Sequence, residues 1–232
     1  MVKPLDAWWT VLFVDPIATR VVPHLSRIAA VTPTRVTMVA HLLGVASAIL
    51  FANNLLIAAA VIYEVRFVLD CIDGKLARVT GKTSLYGQLL DSLGDRVLFV
   101  ANAAALGWRV APVAVVIIAA AYPLQFHLME MRRDLKARLA TPRPMDQLLE
   151  RRWGRALARR RLFPMPTSVD VEHLLLFGGP LLWALGLDVL APLLWVVAAY
   201  ASLECLRYGI SMLRTAATLD RVQSSARADL AG

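Results

Sequence analysis

Four aspartates form two pairs whose spacing suits two neighbouring helices. Asp70 and Asp73 are three residues apart, and Asp91 and Asp95 are four residues apart. Side chains at these spacings lie on the same face of a helix. Because a short segment joins the two pairs, antiparallel helices would bring them face to face. Four carboxylates held this close repel one another unless a cation neutralises them, so the pattern predicts a site for divalent metal ions.

The chemistry of such a site follows from its ligands and from the residues between them. An all-oxygen ligand set favours Mg²⁺ or Mn²⁺ over zinc, and these ions are commonly held together with substrate phosphates. Four carboxylates suit two ions, which can stabilise the attacking and the leaving oxygen of a displacement at phosphorus. Gly74 and Gly87 leave room for a nucleotide or diphosphate beside the acids, and Arg78 can neutralise phosphate oxygens.

Structural ion pairs are the alternative explanation for these acids. Arg66 precedes Asp70 by four residues, and Arg96 follows Asp95 directly. Each arginine can satisfy one carboxylate, but two arginines do not easily satisfy four. Carboxylates inside a membrane cost about 2.5–3.5 kcal/mol each on insertion scales, so metal binding is the stronger explanation.

The composition indicates which environment surrounds the helices that carry the acids. Of the 232 residues, 58% are hydrophobic and 18% are charged, whereas soluble domains have roughly 45–50% apolar and about 25% charged residues. The excess of apolar residues excludes a disordered chain and is typical of a protein that faces lipid. Only two cysteines occur, which excludes a disulfide framework and a cysteine-rich zinc site.

Six stretches approach the length of about 20 apolar residues that a helix needs to cross a bilayer. They are residues 36–52, 55–72, 86–106, 110–129, 171–187 and 189–206. The sequence therefore predicts an all-α integral membrane protein with six transmembrane helices and an N-terminal interfacial amphipathic helix within residues 1–30. We expect one six-helix domain at 31–214 and a flexible tail at 215–232.

Basic residues predict the orientation, because Lys and Arg are retained in cytoplasmic loops. The segment 131–168 carries 11 Lys and Arg against 3 acidic residues, and the whole chain has a net charge of +8. Both termini and the aspartates should then be cytoplasmic. Attraction to anionic membrane lipids explains the basic segment, and the alternative is that some of its arginines bind a phosphorylated substrate. Because no nucleic-acid-binding motif accompanies the charge, we expect no nucleic acid partner.

The aspartates and the residues between them match a known signature without a mismatch. The matching positions are Asp70, Asp73, Gly74, Ala77, Arg78, Gly87, Asp91 and Asp95. In these residues and their spacing the chain resembles the CDP-alcohol phosphotransferases. The resemblance implies that a phosphoalcohol passes from a CDP-linked donor to an acceptor hydroxyl with release of CMP. It also implies a homodimer.

The resemblance implies roles for individual residues as well. Asp70, Asp73, Asp91 and Asp95 would ligate two Mg²⁺ or Mn²⁺ ions, and Asp95 would also act as the general base. Residues expected to bind or shape the site for the CDP group are Gly74, Ala77, Arg78, Ser84, Gly87, Thr34 and Thr37. Candidates for binding the acceptor are Arg132, Arg133 and Arg207.

The donor and the acceptor stay open at this level. The resemblance favours CDP-diacylglycerol as donor. Glycerol 3-phosphate, inositol 1-phosphate and another phosphatidyl group are all compatible as acceptor, and we expect a small polar or phosphorylated alcohol. The alternative donor is a soluble CDP-alcohol such as CDP-inositol or a CDP-amino alcohol. From another class, a transporter or channel would use the acids as an ion site, but that hypothesis leaves the glycines and Arg78 unexplained. A non-catalytic scaffold would not need all four acids.

Overall fold

The computed structural model describes residues 2–139 and 152–229, and within these ranges all regular structure is helical. The first helices are α1 (Asp15–Leu25), α2 (Pro33–Ala52), α3 (Leu56–Thr80), α4 (Leu85–Gly107) and α5 (Pro112–Leu139). They are followed by α6 (Arg152–Arg159), α7 (Ser168–His173), α8 (Gly179–Ala184) and α9 (Leu190–Asp229). The all-α prediction is confirmed for the described residues.

Three of these helices are long and apolar enough to cross a membrane. They are α2, the part Pro112–Ala137 of α5 and the part Leu190–Arg221 of α9. Helices α3 and α4 occupy the second and third predicted spans and carry the four aspartates. Helices are thus found at all six predicted places, and spanning by the three other segments stays a prediction.

The fifth predicted span is an irregular helix. Helix α7 continues through a π-helical turn (Leu174–Gly178) into α8. A π turn widens the helix because its hydrogen bonds reach one residue farther along the chain. Glu172 and His173 lie directly before this turn, and both side chains are buried.

A short connection brings α3 and α4 together at the end that carries the aspartates. Gly81 follows α3 with a φ of 66°, a left-handed conformation that glycine adopts without strain. Helix α4 begins after Ser84, whose side chain caps the backbone N–H of Gly87 at 3.0 Å. The link reverses the chain, so the two pairs of aspartates lie side by side.

Helix α2 packs against both α3 and α4. Its start is fixed by Thr32, whose side chain accepts a hydrogen bond from the backbone N–H of Arg35 at 3.4 Å. The apolar core below the aspartates includes Phe51 of α2, Phe99 of α4 and Leu194 of α9, all of which are buried. This packing holds α2 beside the aspartates, where its polar residues contribute to the site.

The N-terminal segment packs against the protein through directional contacts. The backbone N–H of Asp6 donates to the carbonyl of Arg161 at 2.9 Å, and the N–H of Phe163 donates to the carbonyl of Asp6 at 3.2 Å. The backbone N–H of Trp9 donates to Asp170 Oδ1 at 2.7 Å. The position of this segment at a membrane surface and its amphipathic character stay predictions.

Two predicted regions differ from the structure or lie partly outside it. Helix α9 continues to Asp229, so the tail predicted from residue 215 is helical as far as it is described, and its flexibility stays a prediction. The helix extends because alanine, arginine and leucine, which are strong helix formers, alternate with the polar residues. Of the basic segment 131–168, residues 140–151 lie outside the described residues.

Candidate active site

Three of the four predicted metal ligands converge. Asp70 of α3 and Asp91 and Asp95 of α4 each present a carboxylate oxygen, and these oxygens lie within 4.8 Å of one another. We call these three residues the acidic cluster. The Oδ1 atoms of Asp70 and Asp91 are buried without a hydrogen-bond partner. Because buried polar atoms are normally paired, unpaired carboxylate oxygens this close fit a divalent cation that they would ligate.

The fourth predicted ligand, Asp73, lies on the same helix and is held by α2. Its side chain is buried, and its Oδ2 accepts a hydrogen bond from the hydroxyl of Thr37. The resemblance assigns Thr37 to the CDP group, whereas the structure pairs its hydroxyl with an aspartate. The contact ties α2 to the site and restricts the rotamer of Asp73, whose role as a ligand stays a prediction.

A buried arginine contacts the acidic cluster. Arg66 of α3 is 2% exposed and forms an ion pair with Asp95. The sequence suggests Asp70 as its partner, so the structure corrects that pairing. Arg96, which adjoins the cluster in sequence, pairs instead with Glu130 at 3.0 Å. An ion pair with one carboxylate leaves the other two carboxylates of the cluster to be neutralised.

A cleft opens beside the acidic cluster, between α2, α3 and the start of α4. Six of the seven residues predicted for the CDP group line it, namely Thr34, Thr37, Gly74, Ala77, Ser84 and Gly87. Asp73 and Asp91 line it as well, so the cleft is continuous with the acids. Lys82, Thr83 and Gln88 also line it. The sequence does not single these three out for the site, because they lie outside the matching positions: Lys82 and Thr83 are in the connection before α4, and Gln88 is in the first turn of α4.

Small residues keep this cleft open. A Cβ at Gly87 would lie 3.0 Å from Ser84 Oγ, so a larger residue would crowd the hydroxyl that caps α4. A Cβ at Gly74 would lie 3.6 Å from a guanidinium nitrogen of Arg78. Arg78, the seventh residue predicted for the CDP group, therefore lies directly beside the backbone at Gly74.

Two of the three arginines predicted for the acceptor come together between α5 and α9. Arg132 Nε donates to Ser211 Oγ at 2.7 Å. The ring centre of Tyr208 lies 5.6 Å from the guanidinium carbon of Arg132 and 4.5 Å from that of Arg207. Arg133 is exposed and does not share these contacts. Ser211 and Tyr208 carry no sequence signal, because only the packing of α9 on α5 brings them to the arginines.

A buried carboxylate that the sequence does not assign lies deeper in the bundle. Glu172 of α7 accepts a hydrogen bond from the hydroxyl of Tyr122 and another from the hydroxyl of Tyr63 at 3.5 Å. The guanidinium carbon of Arg66 lies 5.6 Å from the centre of the Tyr63 ring. Tyr63 thus contacts both Glu172 and Arg66.

Comparison with known proteins agrees with this geometry. The sequence profile described as CDP-alcohol phosphatidyltransferase matches residues 30–169, a range that contains the acidic cluster and the cleft. The chain belongs to this family. Its members are membrane-embedded transferases of phospholipid biosynthesis that use Mg²⁺ or Mn²⁺. The resemblance and the choice of metal are confirmed at the level of the family.

Two archaeal relatives match this chain over part of their length. The chain is 41% identical over 80 residues to the bifunctional IPC transferase and DIPP synthase of Thermococcus kodakarensis, which covers 34% of this chain and 18% of that protein. It is 39% identical over 67 residues to the archaetidylinositol phosphate synthase of Pyrococcus horikoshii, which covers 29% of this chain and 36% of that protein. The chain thus spans well under two thirds of either relative.

A solved structure supports the fold. The phosphatidylinositol phosphate synthase of Mycobacterium tuberculosis, in complex with manganese and citrate, superposes with a TM-score of 0.54 and 20% identity, over 84% of this chain and 88% of that chain. Together with the three apolar helices, the family makes this chain an integral membrane protein. The cytoplasmic orientation of its termini stays a prediction.

Proposed function

We propose that the protein transfers a phosphoalcohol from a CDP-linked donor to an acceptor hydroxyl and releases CMP. The observation that supports this most is the convergence of Asp70, Asp91 and Asp95 within 4.8 Å beside a cleft. A transporter would need the acids as an ion site but not a cleft lined by small residues at their side. The arrangement therefore favours a transferase over a transporter or channel.

The cleft is where the CDP group would bind. Its small lining residues are Gly74, Ala77 and Gly87. They allow a nucleotide to lie against the backbone of α3 and α4. Arg78 and Lys82 supply positive charge for the oxygens of a diphosphate. Because Asp73 and Asp91 line the same cleft, a diphosphate there would lie next to the proposed metal ligands.

The four aspartates have two roles in the proposed reaction, metal binding and proton transfer. Asp70, Asp73 and Asp91 would hold two divalent cations together with Asp95. Such ions, when bound, offset charge on the diphosphate and on the leaving oxygen of CMP. The carboxylate of Asp95 takes the proton of the acceptor hydroxyl while the hydroxyl oxygen bonds to phosphorus. The bond from that phosphorus to the CMP oxygen breaks, and CMP keeps the electron pair.

We propose CDP-diacylglycerol, a lipid, as the donor, and the surface around the site is compatible with it. Leu42 of α2 and Leu89 and Leu93 of α4 are exposed apolar side chains near the level of the acids. In a membrane-embedded bundle such a surface can receive acyl chains beside the cleft. Exposed apolar side chains also occur elsewhere on the helices, so the CMP assay has to distinguish the lipid donor from a soluble CDP-alcohol.

A phosphorylated alcohol is the acceptor that we propose. Arg132 and Arg207 approach each other around Tyr208, and the planar guanidinium group matches phosphate oxygens. Arg133 is a further candidate at the exposed side of α5. The name of one relative, archaetidylinositol phosphate synthase, adds inositol 1-phosphate to glycerol 3-phosphate as acceptors to test first.

The orientation and the oligomeric state are further proposals. Lys75, Arg78 and Lys82 lie at the end of the α3–α4 pair that carries the acids, and basic residues favour the cytoplasmic side. We therefore place the active site and both termini in the cytoplasm. A homodimer follows from the resemblance, and light scattering of the detergent-solubilised protein measures it.

Release of CMP by the purified protein in liposomes tests the proposed reaction. The assay contains Mg²⁺ or Mn²⁺, CDP-diacylglycerol and one acceptor at a time, with Asp95→Asn beside the wild type. Asp134→Asn, at an exposed position of α5, is the matched control. We expect acceptor-dependent CMP from the wild type and the control but none from Asp95→Asn.

The other outcomes distinguish the alternatives. CMP formed only with CDP-inositol or a CDP-amino alcohol would replace the lipid donor by a soluble one. If no CDP-linked donor gives CMP and the liposomes show metal or proton flux instead, the transporter hypothesis replaces the transferase.

A further inference from the structure

Arg66 occupies an unusual place for a charged residue. It lies one helical turn before Asp70, and its side chain is 2% exposed. It pairs with Asp95, and the centre of the Tyr63 ring lies 5.6 Å from its guanidinium carbon. Arg66 is not among the residues that match the family signature, so the resemblance assigns no role to it.

The ion pair does not account for the whole guanidinium group. Arginine carries five N–H donors in a rigid plane, and the Nε of Arg66 is buried without a hydrogen-bond partner. Burying a charged group with unused donors is costly. The Oδ1 atoms of Asp70 and Asp91 are unpaired in the same region. A buried donor and two buried acceptors without partners indicate a site that its ligands complete.

The balance of charges between the aspartates, Arg66 and the bound cations indicates which ligands would complete the site. The acidic cluster and Asp73 carry four negative charges when ionised, and Arg66 offsets one of them. Two divalent cations would balance the four carboxylates by themselves. The charge of Arg66, which pairs with Asp95, would then oppose cation binding at that carboxylate unless another anion came close to the guanidinium group. Glu172 is a further acid in this region, but its carboxylate accepts hydrogen bonds from Tyr63 and Tyr122. The anion that the proposed reaction brings is the diphosphate of the donor.

We propose that Arg66 occupies the place of a metal ion on Asp95 in the metal-free protein and binds phosphate oxygens of the CDP-linked donor in the complete site. This inference rests on the proposed function. The planar guanidinium group can donate two parallel hydrogen bonds to phosphate oxygens. When it does so, Asp95 is free to ligate a cation and to accept the proton of the acceptor. Arg66 itself neither gains nor loses a proton.

A purely structural ion pair predicts different behaviour. If Arg66 only fastened α3 to α4, removing its charge would loosen the acidic cluster and weaken metal binding and donor binding together. If Arg66 competes with the cation for Asp95, removing its charge strengthens metal binding and weakens donor binding. The two effects then have opposite signs.

Three variants separate these cases. Arg66→Gln removes the charge, and Arg66→Lys keeps the charge without the planar group. Arg96→Gln is the matched control, because Arg96 follows Asp95 on α4 but pairs with Glu130 at 3.0 Å. Mn²⁺ binding is measured by electron paramagnetic resonance on the purified protein without substrate. The KM for CDP-diacylglycerol is measured from CMP formation in liposomes.

We expect Arg66→Gln to bind Mn²⁺ about tenfold more tightly than the wild type, since a nearby positive charge is gone. Its KM for the donor should rise by about tenfold, which is the loss of one charge-assisted contact. Arg66→Lys should keep the wild-type Mn²⁺ affinity and share the raised KM. Arg96→Gln should match the wild type in both. Weaker or unchanged Mn²⁺ binding by Arg66→Gln would overturn the proposal.

The role of Arg66 can still be tested if one variant does not fold or if the wild type releases no CMP. If Arg66→Gln does not fold, Arg66→Lys decides, because an unchanged donor KM contradicts the proposal and a raised KM with unchanged Mn²⁺ affinity supports it. If the wild type binds Mn²⁺ but releases no CMP from any donor, the proposed function fails. The Mn²⁺ affinities then still decide whether Arg66 competes with the cation for Asp95.

Discussion

Two groups of charged residues lie against α3, and their carboxylates are paired differently. Asp15 has one carboxylate oxygen 2.8 Å from Lys75 Nζ and the other 2.8 Å from a guanidinium nitrogen of Arg161. We call these three residues the Asp15 clamp. Asp15 Oδ1, like an oxygen of Asp70 and one of Asp91, is buried without a hydrogen bond. The difference lies in the cations: Lys75 and Arg161 each face one oxygen of Asp15. In the acidic cluster, the ion pair found among the described residues is the one between Arg66 and Asp95.

The difference shows how a structural charge can be told from a functional one. Burial raises the pKa of Asp15, but the hydrogen bonds and charges of Lys75 and Arg161 outweigh burial and hold that pKa below its ordinary value. The ionised carboxylate of Asp15 therefore stabilises the fold. Carboxylates that are buried near one another without enough cations destabilise the fold, and a bound metal ion offsets that cost. We therefore propose that the acidic cluster binds a cation.

A substitution in the acidic cluster that leaves the Asp15 clamp unchanged should have the largest effect on activity. Asp91→Asn removes one proposed metal ligand, and we expect CMP formation to fall by about 10³-fold or more, about 4 kcal/mol. The metal-free protein should lose no stability, because a neutral amide replaces a poorly paired carboxylate. CMP assays and SDS denaturation without metal measure the two properties. A variant that keeps full activity, or that loses activity only because it unfolds, contradicts the comparison.

Breaking the clamp should give the reverse pattern. Asp15→Asn leaves Lys75, which is 4% exposed, as a buried cation without its partner. We expect the free energy of unfolding to fall by about 3 kcal/mol, and the Mn²⁺ affinity to change by less than about twofold because the sites are separate. SDS denaturation and Mn²⁺ titration measure these, with Asp134→Asn as control. A tenfold loss of Mn²⁺ affinity would show that the two groups are one unit.

A close packing contact between α2 and α4 tests whether the cluster depends on helix spacing. A Cβ at Gly94, next to Asp95, would overlap the ring of His41 on α2. Gly94→Ala should lower the free energy of unfolding by about 2 kcal/mol, and adding His41→Ala should restore most of that loss. A double-mutant cycle measures the coupling. Equal costs of Gly94→Ala with and without His41 would mean that this contact does not set the spacing.

The smallest expected effect is the acid dependence of the clamp. Because the pKa of Asp15 is lowered in the folded protein, its stabilisation is complete above the ordinary carboxyl pKa of about 3.9. It is lost as the pH falls through the folded pKa. The stability difference between the wild type and Asp15→Asn should stay constant from about pH 7 to 5 and shrink below about pH 4. Denaturation of both proteins across this range checks it, and a constant difference down to pH 3 would argue against the clamp.

The positions of the helices could be predicted from the sequence, but the irregular turns within them could not. Apolar stretches of membrane length have few alternatives to helix, so all six places are found. The π turn at Leu174–Gly178 could not be predicted, because its residues also suit a regular helix. Helix α9 continues through Asp229 because alanine and arginine favour helix even in a polar segment, and the flexibility expected of this tail stays a prediction.

The parts of the candidate site that depend on the spacing of residues along a single helix could be predicted from the sequence. Asp70 and Asp73 on one face, and Asp91 and Asp95 on another, follow from the helical repeat. The partner of Arg66 could not be predicted, because the rotation of α4 against α3 selects Asp95 over Asp70. Contacts among three helices, such as those of Glu172 with its tyrosines, leave no pattern in one sequence.

The proposed chemistry depends on the binding of a divalent cation by the acidic cluster, and this binding can be measured by Mn²⁺ titration of thermal stability. The purified wild type is compared with the double variant Asp70→Asn, Asp91→Asn. We predict that Mn²⁺ raises the Tm of the wild type in proportion to the logarithm of its concentration above Kd. The double variant should be at least as stable without metal and should not respond. An equal rise of Tm in both proteins would contradict binding at the acidic cluster.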